Sequence, residues 1–245
     1  MNDASAASIP LTGGRMGSEV TRDGSTVRKR ATAASPFMAR LLRLLEDGGF
    51  SEAPKYLGQM DGLDILSFIE GVVPARFRPW SDDQVSAAAS LLRRMHDATR
   101  GSDLADRFDV VCHHDPGPNN YVFRHDVPIA LIDFYEAAPG SRLEDVGYMA
   151  FTWSISSKQG IPLEHQARQV RLIADAYGLL EAERLALVDA VLERQFRNVR
   201  FWTDYLARPD EAPADPEVLI DRIAWSRQES AFTIRHRATF DDALA

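Results

Sequence analysis

The stretch "VCHHDPGPNNYVFRHDVPIALIDFYE", Val111 to Glu136, decides how this chain is read. Two His, one Asp, two Pro, one Gly and two Asn are packed between His113 and Asn120, directly after an apolar run. A second acid, Asp133, closes another apolar run. "DVVCHHD" reads as a buried strand entering a polar loop. "NYVFRHDVPIALIDF" reads as a hairpin with strands over Tyr121 to Arg124 and Ile129 to Phe134. In an antiparallel hairpin the start of one strand faces the end of the other. A turn centred near Asp126 and Val127 therefore sets Asn120 opposite Asp133. One carboxylate and one amide oxygen make an incomplete hard-oxygen site. That suits Mg²⁺, which keeps waters and takes further ligands from substrate phosphates. Asp115, in the preceding loop, is left to accept a proton from a hydroxyl. Metal, positioning and one base are what phosphoryl transfer requires.

Outward from this stretch the chain has two characters. Upstream, "LTGGRMGSEVTRDGSTVRKR" (Leu11 to Arg30) is strand-like, and Asp23-Gly24 signals a hairpin turn. Ser35-Pro36 opens a helix, with Ser35 as N-cap and Pro36 at N1, and Gly48-Gly49 stops it. Two short strands follow around Asp61-Gly62. Ser81 caps a helix through Ala98, with Val85, Ala88, Leu91, Leu92 and Met95 at helical spacing. From Leu143 onward the pattern is almost wholly helical, broken by a loop from Arg208 to Pro216. The order predicts an α+β fold of two lobes with a ligand between them. The N-terminal lobe spans 1–73, with a polar tail over 1–8, and the C-terminal lobe spans 74–245.

Composition narrows the partners. The 245 residues carry a formal net charge of −8, which argues against nucleic acid, because phosphate binding needs a basic face. Cys112 is the single cysteine, so no internal disulfide or thiolate zinc cluster can form, and a reducing cytoplasm is expected. No apolar run approaches a membrane span, and the N-terminus lacks the regions of a secretory signal.

The segment His113-His114-Asp115-Pro116-Gly117-Pro118-Asn119-Asn120 resembles the H-x-D-x-x-x-x-N catalytic loop of protein-kinase-like enzymes. It is most similar to the aminoglycoside phosphotransferase and choline kinase branch, where the loop is followed by "IDF" or "IDW", here Ile132-Asp133-Phe134. "PGSRLEDVGYMAF" resembles that branch's next segment, with Asp145 in the place of its Asp. The resemblance implies a two-lobed kinase-like fold, with Asp115 as catalytic base, Asn120 and Asp133 as Mg²⁺ ligands and His113 supporting the loop. It implies that Gly13 and Gly14 lie in the loop over the nucleotide phosphates and that Lys29 contacts phosphate, with Arg28 as the alternative. Ser67, Phe68 and Ile69 would lie in the hinge whose backbone meets the base of ATP or GTP. Two departures stand out: His114 replaces the usual Gly, and the helix from Ser35 has no Glu before Glu46.

The expected activity is transfer of the γ-phosphoryl group to a hydroxyl of a small molecule. Asp204, Asp210, Glu211, Asp215 and Glu217 would favour a cationic acceptor. One alternative is a kinase-like module that binds nucleotide without turnover. Another is a metal-dependent hydrolase using His113, His114 and Asp115.

Overall fold

The computed structural model describes residues 9–11, 20–75, 78–212 and 214–245. Its first part is a five-stranded antiparallel sheet in the order β1-β2-β3-β5-β4. The strands are β1 (Ile9–Leu11), β2 (Val20–Asp23), β3 (Thr26–Arg30), β4 (Tyr56–Met60) and β5 (Leu63–Ser67), and helix α1 (Ser35–Asp47) lies between β3 and β4. The Asp-Gly signal forms the β2–β3 turn: Asp23 pairs with Thr26, and Gly24 adopts φ 57°. Helix α1 buries Met38, Leu41, Leu42 and Leu45. Burying each such side chain contributes about 1.5–3 kcal/mol.

Ser35 does not cap α1 as its sequence context suggested. It is the first helical residue, and Ala34 is the N-cap. Its hydroxyl donates instead to Asp64 on β5 at 2.5 Å. Asp64 is fully buried and also accepts from the hydroxyls of Tyr135 (2.7 Å) and Tyr56 (3.3 Å). A buried carboxylate survives only with such a complement of donors, and this demand outcompetes the cap.

A connector leads from the sheet into the second part. Val72 exchanges backbone hydrogen bonds of 2.9 and 2.8 Å with Phe123, and Gly71 sits beneath. A Cβ at Gly71 would lie 2.4 Å from Val122 Cγ1 and 2.6 Å from the Phe123 carbonyl oxygen, so only glycine allows this approach.

Helix α2 (Asp82–Thr99) opens with the expected cap at Ser81, completed by Gln84 as a capping box. Strand β6 (Val110–Cys112) pairs with β9 (Ala138–Gly140), and β7 (Tyr121–Arg124) with β8 (Val127–Leu131). Helices α3 (Arg142–Trp153), α4 (Leu163–Tyr177), α5 (Glu181–Leu206), α6 (Pro216–Arg235) and α7 (Arg237–Leu244) complete the chain. One apolar core runs from α1 through α2 and the β7–β8 hairpin into α3, α4 and α7. Gly147 lets α3 press on α5: a Cβ there would lie 2.7 Å from the Ala190 backbone. No helix among the described residues is long and apolar enough to cross a membrane.

Candidate active site

The hairpin of the opening stretch forms, with its register one residue from expectation. Arg124 pairs with Val127, and His125 and Asp126 make the two-residue turn at φ 50° and 61°. A bulge then shifts the ladder between Val122 and Phe123. Asn120 consequently faces Ile132, accepting its N–H at 2.9 Å, and Asp133 lies one residue further on. Asp133 turns out of the strand at φ 68°, ψ 60°, a left-handed conformation that Asp tolerates better than most residues.

Asp115 is held on both oxygens. The Tyr148 hydroxyl donates to Oδ1 at 2.5 Å. The Asn120 amide donates to Oδ2 at 2.9 Å and to the Asp115 carbonyl at 2.8 Å. Because the amide nitrogen faces Asp115, Asn120 Oδ1 is turned away from that carboxylate. His113 braces the loop: its Nδ1 accepts the Asp115 N–H at 3.3 Å, and Nε2 donates to the Ile132 carbonyl at 2.9 Å. The far side of the loop is pinned by Trp153, whose indole N–H donates to Pro116 at 3.0 Å.

Asp145 anchors the loop from below. It is fully buried and accepts the N–H groups of His113 (2.6 Å) and His114 (2.8 Å), with His96 Nε2 at 3.0 Å. Burial pushes this carboxyl up, but the hydrogen bond and charge of His96, with His114 and His113 nearby, outweigh it and hold the pKa at about 2. His114, where the resembled loop has Gly, adopts φ 64°. That is the conformation for which glycine is ordinarily used.

Lys29 reaches this group from β3. Its Nζ contacts Asp133 Oδ1 at 2.6 Å and stands 4.2 Å from the centre of the Tyr135 ring. Arg28 instead pairs with Asp23 at 2.6 Å. Glu46 pairs with Lys55, so α1 provides no carboxylate for Lys29. Asp133 is its partner.

Lys29, Asp115, Asn120 and Asp133 line one cleft of about 610 Å³. That is an ordinary volume for a small-molecule site. Its opposite wall is one face of α5, with Arg194, Arg197, Asn198, Phe201 and Trp202. Asp204, Asp210, Asp215 and Glu217 are not among the lining residues; the acids that line the cleft are Asp115, Asp133 and Glu136. The side chain of Glu211 lies outside the described set, as do Gly13 and Gly14. Ser67 ends β5, Phe68 and Ile69 follow it, and none of the three lines the cavity. The N–H groups of Ser67 and Phe68 are taken by Lys55 and Ser25, leaving that of Ile69 without a described backbone partner.

The His-His-Asp cluster does not assemble. Among the described residues, the group of His, Cys, Asp and Glu side chains close enough to share an ion is His96, Cys112 and Asp145, all buried. Burial and the neighbouring Asp145 push the Cys112 thiol far up, so it remains protonated and donates to the Ser141 carbonyl. This group is hydrogen-bonded structure rather than a metal centre.

Tyr148 and Arg194 were not singled out from the sequence. Tyr148 follows Asp145 by three residues and so shares its helix face, a signal that could have found it. Arg194 lies 80 residues from the loop it touches, with no local pattern to mark it.

Two lobes, a cleft between them and a braced acidic loop define a kinase-like phosphotransferase fold. The chain belongs to the phosphotransferase enzyme family, whose model matches residues 98–188. The trifolitoxin immunity protein of Rhizobium leguminosarum bv. trifolii is 32% identical over 274 aligned positions, covering 100% of both chains. Among solved structures, a choline/ethanolamine kinase family protein from Mesorhizobium loti superposes with a TM-score of 0.65 at 16% identity, covering 98% of this chain and 94% of that one. Spectinomycin phosphotransferase with ADP and spectinomycin gives 0.66 at 13% identity, covering 93% of each chain. A gentamicin complex of an aminoglycoside phosphotransferase gives 0.62 at 17%, also covering 93% of each.

Proposed function

We propose that this protein is a small-molecule kinase that transfers the γ-phosphoryl group of ATP or GTP to a hydroxyl of its acceptor. The observation that carries this reading is the convergence of Lys29, Asp115, Asn120 and Asp133 on one cleft. The lobe of residues 1–73 would bind the nucleotide through Lys29 and the backbone around Ile69. The lobe of residues 74–245 would supply the base and the acceptor wall.

In this mechanism Asp115 accepts the proton of the acceptor hydroxyl. The freed oxygen forms a bond to the γ-phosphorus as the bond to the bridging oxygen breaks, and a nucleoside diphosphate leaves. Tyr148 and Asn120 hold the carboxylate in one orientation, so little reorganisation is needed as the proton arrives. Lys29, tied to Asp133 here, exchanges that contact for the nucleotide phosphates. The donor set suits Mg²⁺: Asn120 Oδ1 is turned from Asp115, and Asp133 uses one oxygen for Lys29. Asn120 and Asp133 would hold the ion, which supplies charge neutralisation at the phosphates. The relative named for immunity to trifolitoxin supports a protective role, in which phosphorylation inactivates a toxic hydroxyl compound.

The test is thermal unfolding with and without Mg·ATP and Mg·GTP, on the wild type and on Asp133→Asn. Ligand at about 100 times its Kd stabilises by roughly 2.7 kcal/mol. For this chain length that is a rise in Tm of roughly 5–10 °C. The rise should occur in the wild type and shrink in Asp133→Asn. Asp115→Asn should keep it while turnover falls roughly 10²–10⁴-fold. No rise with either nucleotide would overturn the reading. A rise without turnover on any hydroxyl acceptor would favour a nucleotide-binding module.

A further inference from the structure

We propose that the acceptor carries an anionic group, a carboxylate or phosphate, bound by Arg194 about one aromatic ring's length from the hydroxyl that is phosphorylated. This rests on the phosphotransferase reading, since it takes Asp115 as the point where the hydroxyl sits.

The cleft-facing residues of α5 recur at helical spacing, and none of Arg194, Arg197, Asn198, Phe201 and Trp202 is acidic. The cations lining the cleft, Lys29, Arg30, Arg194 and Arg197, differ in how far they are already neutralised, and Arg30 is solvent-exposed at the end of β3. Arg197 is held by Glu144 at 2.5 Å and Glu193 at 2.9 Å. Lys29 is held by Asp133. Arg194 has no carboxylate partner among the described residues. One of its nitrogens donates to the His114 carbonyl at 2.8 Å, while its Nε is buried with no hydrogen-bond partner. A buried, unpaired guanidinium N–H is costly unless something accepts from it. A planar anion is the group its fork is shaped to bind.

The spacing follows from what lies between. The Arg194 guanidinium stands 4.7 Å from the centre of the Tyr148 ring, and the hydroxyl of that ring touches Asp115. A ligand reaching from Arg194 to Asp115 therefore spans one tyrosine side chain. Phe201, 40% exposed, offers an apolar surface for the body between its two ends.

Three probes share one body and one hydroxyl and differ in charge: 4-(hydroxymethyl)benzoate, benzyl alcohol and 4-(hydroxymethyl)benzylamine. Nucleoside diphosphate release with Mg·ATP gives kcat/KM for each. Equilibrium titration of each probe, with and without Mg·ADP, gives affinity apart from chemistry. The benzoate should exceed the amine roughly 10- to 100-fold, the range for a charge-assisted hydrogen bond. Arg194→Lys should retain the sign of the preference, and Arg194→Glu should reverse it. A benzoate no better than the amine, in turnover and in binding alike, overturns the proposal, as does a preference unmoved by Arg194→Glu. If Mg·ATP gives no thermal shift, the kinase reading fails separately, and the titrations without nucleotide still decide whether Arg194 selects an anion.

Discussion

Replacing Asp145 with Asn tests how the loop is held. Asp145 is fully buried and receives three hydrogen bonds, two from the backbone of His113 and His114 and one from His96. An Asn keeps one acceptor oxygen and puts a donor where the other stood, so at least one N–H is left facing an N–H. The carboxyl falls from 3.8 to about 2 on folding, which corresponds to roughly 2 kcal/mol at neutral pH. The stranded donors bring the total to roughly 3–5 kcal/mol. Urea unfolding at pH 7 should show a lower midpoint with an unchanged slope. The folded pKa is depressed, so the wild-type advantage is full above about pH 5. It should shrink as pH falls through 3.8 towards 2, where the native carboxyl also protonates. A difference below about 1 kcal/mol at pH 7, or a gap that widens on acidification, would refute the reasoning.

Two further substitutions probe backbone geometry. Gly71→Ala forces a methyl against Val122 and the Phe123 carbonyl. It should cost roughly 1–3 kcal/mol by overpacking, read as a lower Tm. A neutral result would mean that the connector does not depend on its docking to β7. His114→Gly removes a left-handed non-glycine residue whose ring nitrogen is buried without a hydrogen-bond partner. It should raise stability by up to about 1 kcal/mol, and a clear fall in Tm would show that the imidazole contributes more through packing than its backbone costs.

The outline of the fold was legible where the signals were local. The Asp-Gly turn, the Ser81 cap, the Gly-Gly stop and the helical spacing of α2 each depend on neighbours within a few residues. The hairpin was legible in kind but not in register. The bulge after Val122 shifts the pairing, and alternation alone does not reveal an inserted residue. Ser35 was misread because its cap signal is local while its true partner, Asp64, comes 29 residues later. In the site, Asp115, Asn120 and Asp133 stand in a recognisable spacing, and of the two cations the resemblance offered, Lys29 lines the cleft while Arg28 pairs with Asp23. The α5 wall was not legible. Acidic residues near the loop after α5 drew attention by number, whereas the arginines that line the cleft are placed there by the packing of α3 on α5 at Gly147.

That wall sits on an α-helix, whose backbone hydrogen bonds are satisfied within itself. Asn198 and Phe201 can therefore be exchanged without touching the braces of the acidic loop, whereas Arg194 is itself bonded to the His114 carbonyl. Recognition and chemistry are thus separable over most of this surface and joined at one residue. Descendants of this scaffold should diversify fastest along that helical face, acquiring new molecules to modify while Arg194 and the loop it touches change together or not at all.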